Sequence, residues 1–112
     1  MTVDRVPAHL ADMLRFTQEL RGLVEAMPVT DFVANRVLCL AVEKLFINLG
    51  EAASRVGADS QAMPDIPWRR VIGLRNILAH GYEQVAYEIL HETVVRELPA
   101  LETGLQQLLH RY

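Results

Sequence analysis

Arg75 and His80, which stand five residues apart, are the two side chains of this chain whose types best fit joint chemistry on a phosphate. Metal-free cleavage of an RNA phosphodiester needs a base for the 2′-hydroxyl, an acid for the leaving 5′-oxygen and a cation for the charged phosphorus centre. Histidine exchanges protons near neutral pH, and the planar guanidinium of arginine matches phosphate oxygens. The pair therefore predicts a catalytic site of this kind.

The spacing limits how the two side chains can meet. Five residues on a straight helix turn a side chain about 140° beyond one full turn, so Arg75 and His80 are poor neighbours within one intact helix. They could converge if the helix ends or unwinds before His80, which the following Gly81 would permit. They could also converge across the axis of a two-fold dimer, which would add a second histidine, so that base and acid are different side chains.

Polar residues around the pair extend the candidate site. Asn76 lies four residues before His80 on the same helix face and can hydrogen-bond the imidazole or a phosphate oxygen. Arg69 and Arg70 open the same helix and are predicted to bind RNA phosphates. Tyr82 places a phenol just beyond the histidine, in a turn, where it could contact a nucleotide or be modified.

Several residues favour a structural interpretation instead. An arginine and a histidine near the end of a helix often only complement its dipole. Trp68 is predicted to anchor the core or an interface rather than to stack on bases, and Cys39 is predicted to be a packed thiol. The remaining histidines show no metal-ligand spacing and no cofactor motif is present, so we predict neither metal nor cofactor. These histidines are expected to face solvent: His9, His91 and His110.

Apolar periodicity predicts the elements that position the site. Helices are expected over residues 7–26, 31–56 and 67 to about 80, with a loop over 57–66 before the third. The last helical stretch begins near residue 86 and contains a proline, where it either kinks or a new helix begins. A heptad-like seam follows, for which core packing is favoured over a dimer zipper: Leu98, Leu101, Leu105, Leu108 and Tyr112.

Composition sets the class of protein. Hydrophobic residues make up 51% of the chain and charged residues 22%, as in a globular protein. We predict one all-α domain over residues 1–112, an up-and-down bundle of four to five helices. The net charge of −3 argues against a broad nucleic-acid coat protein. A single cysteine and the lack of an export signal or membrane span predict a cytoplasmic location.

Four short motifs carry a resemblance to a known family. The segment Arg75-Asn76-Ile77-Leu78-Ala79-His80-Gly81-Tyr82 resembles the R-x4-H-x-Y motif of HepT-like proteins, a branch of the HEPN superfamily. Ile66-Pro67-Trp68-Arg69 looks like the I-P-W segment of that branch. Two further stretches look like its I-G-E-A and D-L-P-x-L motifs, although Asn48-Leu49 replaces an apolar pair and Glu97 the commoner aspartate: Asn48-Leu49-Gly50-Glu51-Ala52 and Glu97-Leu98-Pro99-Ala100-Leu101.

The resemblance, which covers the chain from about Thr30 onward, implies a HEPN-like bundle that forms a two-fold homodimer. It implies a metal-independent endoribonuclease toxin that leaves 2′,3′-cyclic phosphate ends, with Arg75 and His80 as its catalytic residues. It also implies an MntA-like nucleotidyltransferase antitoxin that transfers AMP onto Tyr82. Such an anion in a cleft built for RNA phosphates would occupy the arginines and repel substrate.

Two residues of the second long helix complete the candidate site. Glu51 is either a surface carboxylate paired with Arg55 or an acid that orients Arg75, and Asn48 lies on the same helix face. An alternative function also stays open, because the chain is acidic and its basic cluster is short. In that alternative the protein is a non-catalytic module that binds nucleotides or docks on a nucleotidyltransferase.

Overall fold

Six α-helices and no strand lie in the part of the chain that the computed structural model describes, which is residues 5–56, 66–80 and 86–112. The all-α prediction is confirmed. The predicted loop over residues 57–66 falls outside these ranges except for Ile66, and so do Gly81 and Tyr82. No described helix is long and apolar enough to cross a bilayer. The helices are α1 (Val6–Val24), α2 (Val29–Ala34), α3 (Arg36–Ser54), α4 (Trp68–His80), α5 (Tyr87–Arg96) and α6 (Leu98–Leu109).

The single helix predicted over residues 31–56 is wrong, because the chain breaks at Asn35 into α2 and α3. Asn35 has an extended backbone, with φ −98° and ψ 92°, and its side chain accepts a hydrogen bond from the Leu38 backbone N–H at 3.0 Å. Asparagine is among the best residues for capping the first turn of a helix. The break is one reason why the described residues hold six helices rather than four to five.

The second break lies near Pro99, and of the two predicted alternatives it is the one in which a new helix begins. Helix α5 ends at Arg96, and α6 begins at Leu98 with Pro99 in its first turn. Proline suits this position because the missing N–H would have no helical partner there. Core packing of the seam is not confirmed for Tyr112, which is 54% exposed, but it is confirmed for the four leucines, which are at most 4% exposed: Leu98, Leu101, Leu105 and Leu108.

The interior confirms one prediction and corrects another. Cys39 is fully buried, with its thiol 3.2 Å from the carbonyl oxygen of Phe32, as expected of a packed thiol. His9, which was expected to face solvent, is half-buried instead, and so is His91. The ring of His91 packs against Phe32, and its Nε2 lies 2.6 Å from the carbonyl oxygen of Met27. Contacts of α5 with α2 and with the segment before it therefore override the ordinary preference of histidine for the surface.

Helix α4 packs extensively only against α3 among the described helices. The two helices approach tightly at Gly50, where an added Cβ atom would lie 2.1 Å from the Cβ of Arg75 and 3.0 Å from the carbonyl oxygen of Val71. Only glycine leaves room for this approach. Trp68 is buried at the start of α4, so the prediction of a core anchor is confirmed.

Replacing Gly50 by alanine is expected to destabilise the protein by about 1–3 kcal/mol, because the new methyl group overlaps atoms that cannot move without shifting a helix. Chemical denaturation gives the free energy of unfolding. Gly22→Ala is the matched control, since a Cβ at Gly22 meets nothing within 4 Å and alanine favours a helix by about 0.5–1 kcal/mol. Equal stability of the two variants would contradict the assigned contact.

Candidate functional site

Arg75 packs against Gly50 of α3, and its guanidinium lies between Glu51 of α3 and Asn76 of α4. Its Nη1 donates to the Oδ1 of Asn76 at 2.8 Å, and its Nη2 lies 3.5 Å from the Oε1 of Glu51. The Nε is buried and has no hydrogen-bond partner among the described residues. Since a guanidinium has five N–H donors, this group keeps unused hydrogen-bonding capacity.

Glu51 contacts Arg75, and its ion pair is with that residue rather than with Arg55. The side chains of Arg75 and Glu51 are 31% and 36% exposed, so water reaches the pair. Ion pairs of such exposure stabilise a protein by at most about 1 kcal/mol. An incoming phosphate can therefore compete with the Glu51 carboxylate for the guanidinium.

His80 is the last residue of α4, and its side chain is exposed. The helix runs unbroken from Trp68 to His80, which rules out the arrangement in which it ends before the histidine. Five residues of an intact helix place His80 about 7.5 Å beyond Arg75 along the helix axis and rotate its side chain by about 140° around that axis. Within one chain the two side chains therefore point to different sides of α4.

Arg69 and Arg70 are neighbours in the chain but lie on different sides of α4. Asn76 follows Arg69 by seven residues and His80 follows Asn76 by four, so the three residues share one exposed side of the helix. Arg70 is rotated by about 100° from Arg69 and forms an ion pair with Glu97 at the end of α5. The described structure thus brings Arg69 onto the side of Asn76, and it does not bring Arg70 there.

Asn48 and Tyr82 are the remaining two candidate residues. Asn48 is half-buried on α3, one turn before Glu51 and on the same side of the helix, and the described residues show no hydrogen bond between Asn48 and Arg75. Tyr82 lies outside the described residues. A role for either residue stays a prediction.

An apolar cavity of about 170 Å³ lies on the opposite side of α4 from Asn76. Leu49, Leu74 and Leu101 are among the residues that line it, and the ion pair of Arg70 with Glu97 stands at its edge. A lining of this kind does not suit a phosphate. The cavity does separate α4 from the last two helices, so only α3 supports the helix closely.

The chain belongs to the HepT-like family, because the family model described as ribonuclease HepT-like matches residues 13–108. That stretch includes α2 to α5 completely, all of α6 except its last residue, and most of α1. Arg75, Glu51, Asn76 and His80 all lie within the matched residues.

Known relatives match along almost the whole chain. A protein of Methanocaldococcus jannaschii named as a candidate RNase is 29% identical, over 90% of this chain and 94% of its own. One of the same kind from Caldanaerobacter subterraneus is also 29% identical, over 92% and 93%. A protein of Thermococcus cleftensis named as a probable ribonuclease HepT is 26% identical, over 89% and 92%. The search of solved structures gives no significant match.

Proposed function

We propose that this protein is a metal-independent endoribonuclease that acts as the toxin of a toxin–antitoxin pair. Its membership of a ribonuclease family and the RNase names of its relatives support the substrate class. The observation that carries the proposal is the state of Arg75, whose guanidinium is held between Glu51 and Asn76 and remains within reach of solvent. A preorganised cation of this kind can stabilise a phosphorane-like transition state.

In the proposed reaction the 2′-oxygen of a ribose attacks the adjacent phosphorus atom. One histidine removes the 2′-hydroxyl proton, and another donates a proton to the departing 5′-oxygen. The P–O5′ bond breaks as the P–O2′ bond forms, so the products are a 2′,3′-cyclic phosphate and a free 5′-hydroxyl. Arg75 binds the non-bridging oxygens, while Glu51 and Asn76 hold its guanidinium in place.

A two-fold homodimer is part of the proposal. Within one chain Arg75 and His80 lie about 140° apart around an intact helix, so one copy does not bring them side by side. A second copy placed around a two-fold axis can supply an imidazole opposite the first guanidinium, and it also provides the second histidine that the reaction uses.

Purified protein is expected to cleave RNA in the presence of EDTA and to leave 2′,3′-cyclic phosphate ends. Arg75→Ala and His80→Ala should each lower the cleavage rate by at least about 100-fold, the usual contribution of a positioned proton-transfer group or an electrostatic donor. Gel electrophoresis of labelled RNA measures the rate, and mass spectrometry identifies the ends.

His110→Ala and Arg96→Ala are the matched controls, since both residues are exposed and lie outside the candidate site. Both control variants should cleave RNA like the wild type, and circular dichroism should show the same helix content in all four. Undiminished cleavage by both site variants would rule out the assigned residues. If wild-type protein, free of AMP, shows no cleavage at all, the non-catalytic docking alternative is favoured.

The shared cleft predicts that activity depends on protein concentration. Because monomers lack a complete site, the rate per chain should fall when the protein is diluted below the dissociation constant of the dimer. Analytical ultracentrifugation gives that constant, and cleavage assays over the same dilution series give the rate. A rate per chain that stays constant while the protein becomes monomeric would show that one chain suffices.

We also propose that a nucleotidyltransferase antitoxin of the MntA kind silences the enzyme by modifying Tyr82. The phenol oxygen would attack the α-phosphorus of ATP, with pyrophosphate as the leaving group and the phenol proton released to solvent. Tyr82 follows His80 by two residues, so an attached AMP would place its negative charge beside the candidate cleft. That charge would compete with RNA for the arginines.

Co-expression with the antitoxin is expected to increase the mass of this protein by one AMP group for each modified tyrosine. Tyr82→Phe should prevent the increase and leave the protein able to cleave RNA, which intact-mass spectrometry and the cleavage assay test together. Tyr87→Phe and Tyr112→Phe are the matched controls, and both should still be modified. A mass increase that persists in the Tyr82 variant would contradict the assigned acceptor.

A further inference from the structure

We propose that Lys44 and Arg55 of the α3 segment, together with Arg69 of α4, form a binding surface for the backbone of single-stranded RNA on both sides of Arg75. This surface deepens the proposed function, on which its biological meaning rests. Neither Lys44 nor Arg55 belongs to a motif that the sequence singles out. Their assignment comes from where the helices place them and from the pairing of the other charged groups.

Two rows of side chains with the same spacing make up the surface. The row on α3 continues one residue past the helix end, and the second row runs along α4 to its last residue. Each row has steps of four, three and four residues, which keep its members on one side of a helix over about 16 Å. The rows are Lys44, Asn48, Glu51 and Arg55, and Arg69, Gly73, Asn76 and His80.

The contacts of Arg75 place both rows on the same side of the helix pair. Its guanidinium bonds to Asn76 in the α4 row, and it lies 3.5 Å from Glu51 in the α3 row. The two rows therefore flank this one group. Gly73 contributes no side chain, and a Cβ added there would meet nothing within 4 Å, so the α4 row is open at its middle.

The cations of the two rows have no carboxylate partner among the residues that the structure describes. Lys44, Arg55 and Arg69 are exposed, and none of them forms an ion pair with a described residue. Of the arginines outside the rows and away from Arg75, Arg5 and Arg36 also form no ion pair with a described residue, whereas four others are ion-paired: Arg15, Arg21, Arg70 and Arg96.

The pairing of Arg21 illustrates the difference. It lies 2.6 Å from Glu25 and 2.9 Å from Glu102, and its hydrogen bond holds the pKa of Glu25 below its ordinary value. A carboxylate beside such an arginine offsets part of its positive potential. The rows, with Arg75 between them, instead carry four full positive charges against the single carboxylate of Glu51. A locally positive surface on an acidic chain is the arrangement that attracts a polyanion to one place.

Single-stranded RNA is the occupant that fits the chemistry at the centre of the surface. Attack by the 2′-oxygen needs that oxygen in line with the departing 5′-oxygen, an alignment that a regular A-form duplex does not allow. Neither row contains a Phe, Tyr or Trp side chain for base stacking, and the surface mainly offers contacts to the backbone, so binding should depend little on sequence.

The test measures how salt weakens binding of a labelled single strand with 2′-O-methyl sugars, which the protein cannot cleave. For single strands the slope of log K against log salt concentration is negative, and its magnitude decreases by about 0.7 for each phosphate contact removed. Each row variant should weaken binding several-fold at low salt and reduce the magnitude of the slope by about 0.7. The row variants are Lys44→Ala, Arg55→Ala and Arg69→Ala. Fluorescence anisotropy between low and moderate salt gives both quantities.

Arg70→Ala is the sharpest control, because Arg70 is adjacent in sequence to Arg69 but is paired with Glu97 on another side of α4. Arg15→Ala is a second control from α1. Both variants should keep the wild-type slope. Glu51→Gln should have the opposite effect and tighten binding, because it removes the one carboxylate of the rows, whereas Glu19→Gln on α1 should change nothing. Equal slopes for the row variants and the controls would overturn the proposal.

Two further outcomes separate this proposal from the enzymatic one. If the row variants weaken binding as expected but the wild type cuts no RNA, the surface is supported and the endoribonuclease is not. If the wild type cuts RNA while the row variants bind like the controls, the enzyme is supported and the surface is refuted. A duplex that binds as tightly as the single strand, with the same response to the variants, would contradict the assigned occupant.

Discussion

The close approach of α3 and α4 at Gly50 is the constraint on which the candidate site depends. The stem of Arg75 occupies the space that any side chain at position 50 would need, so the guanidinium emerges between Glu51 and Asn76. A wider separation of the helices would move the carboxylate and the amide away from the cation together. The lack of a side chain at position 50 therefore allows the arrangement of Arg75, Glu51 and Asn76 across the two helices.

Much of this molecule could be predicted because the relevant physics is local. Apolar periodicity indicates the helices, and the start of α6 follows from the fixed backbone angle and missing N–H of Pro99. The burial of the leucine seam follows from its spacing. The arginine and histidine of the motif could be selected from their types alone. Their catalytic roles, the modification of Tyr82, the dimer and the cytoplasmic location stay predictions.

What could not be predicted depends on partners that are distant in the chain. The stripe of apolar residues continues through Asn35, so periodicity alone hides the break, and only the capping preference of asparagine signalled it. Arg69 and Arg70 look equivalent in sequence until Glu97, at the end of another helix, pairs with one of them. Lys44 and Arg55 gain significance only because the packing of α4 against α3 places their row beside Arg75.

The one-sided support of α4 has a consequence for how the protein loses activity. This helix carries Arg75 and His80, yet it packs extensively only on α3, with a cavity between it and the last two helices. Segments with few close neighbours open at a lower free energy than the whole molecule. Backbone amides of α4 should therefore exchange their hydrogens faster than those of α1 or α3. Gentle warming would then inactivate the enzyme reversibly while most of its helices stay folded.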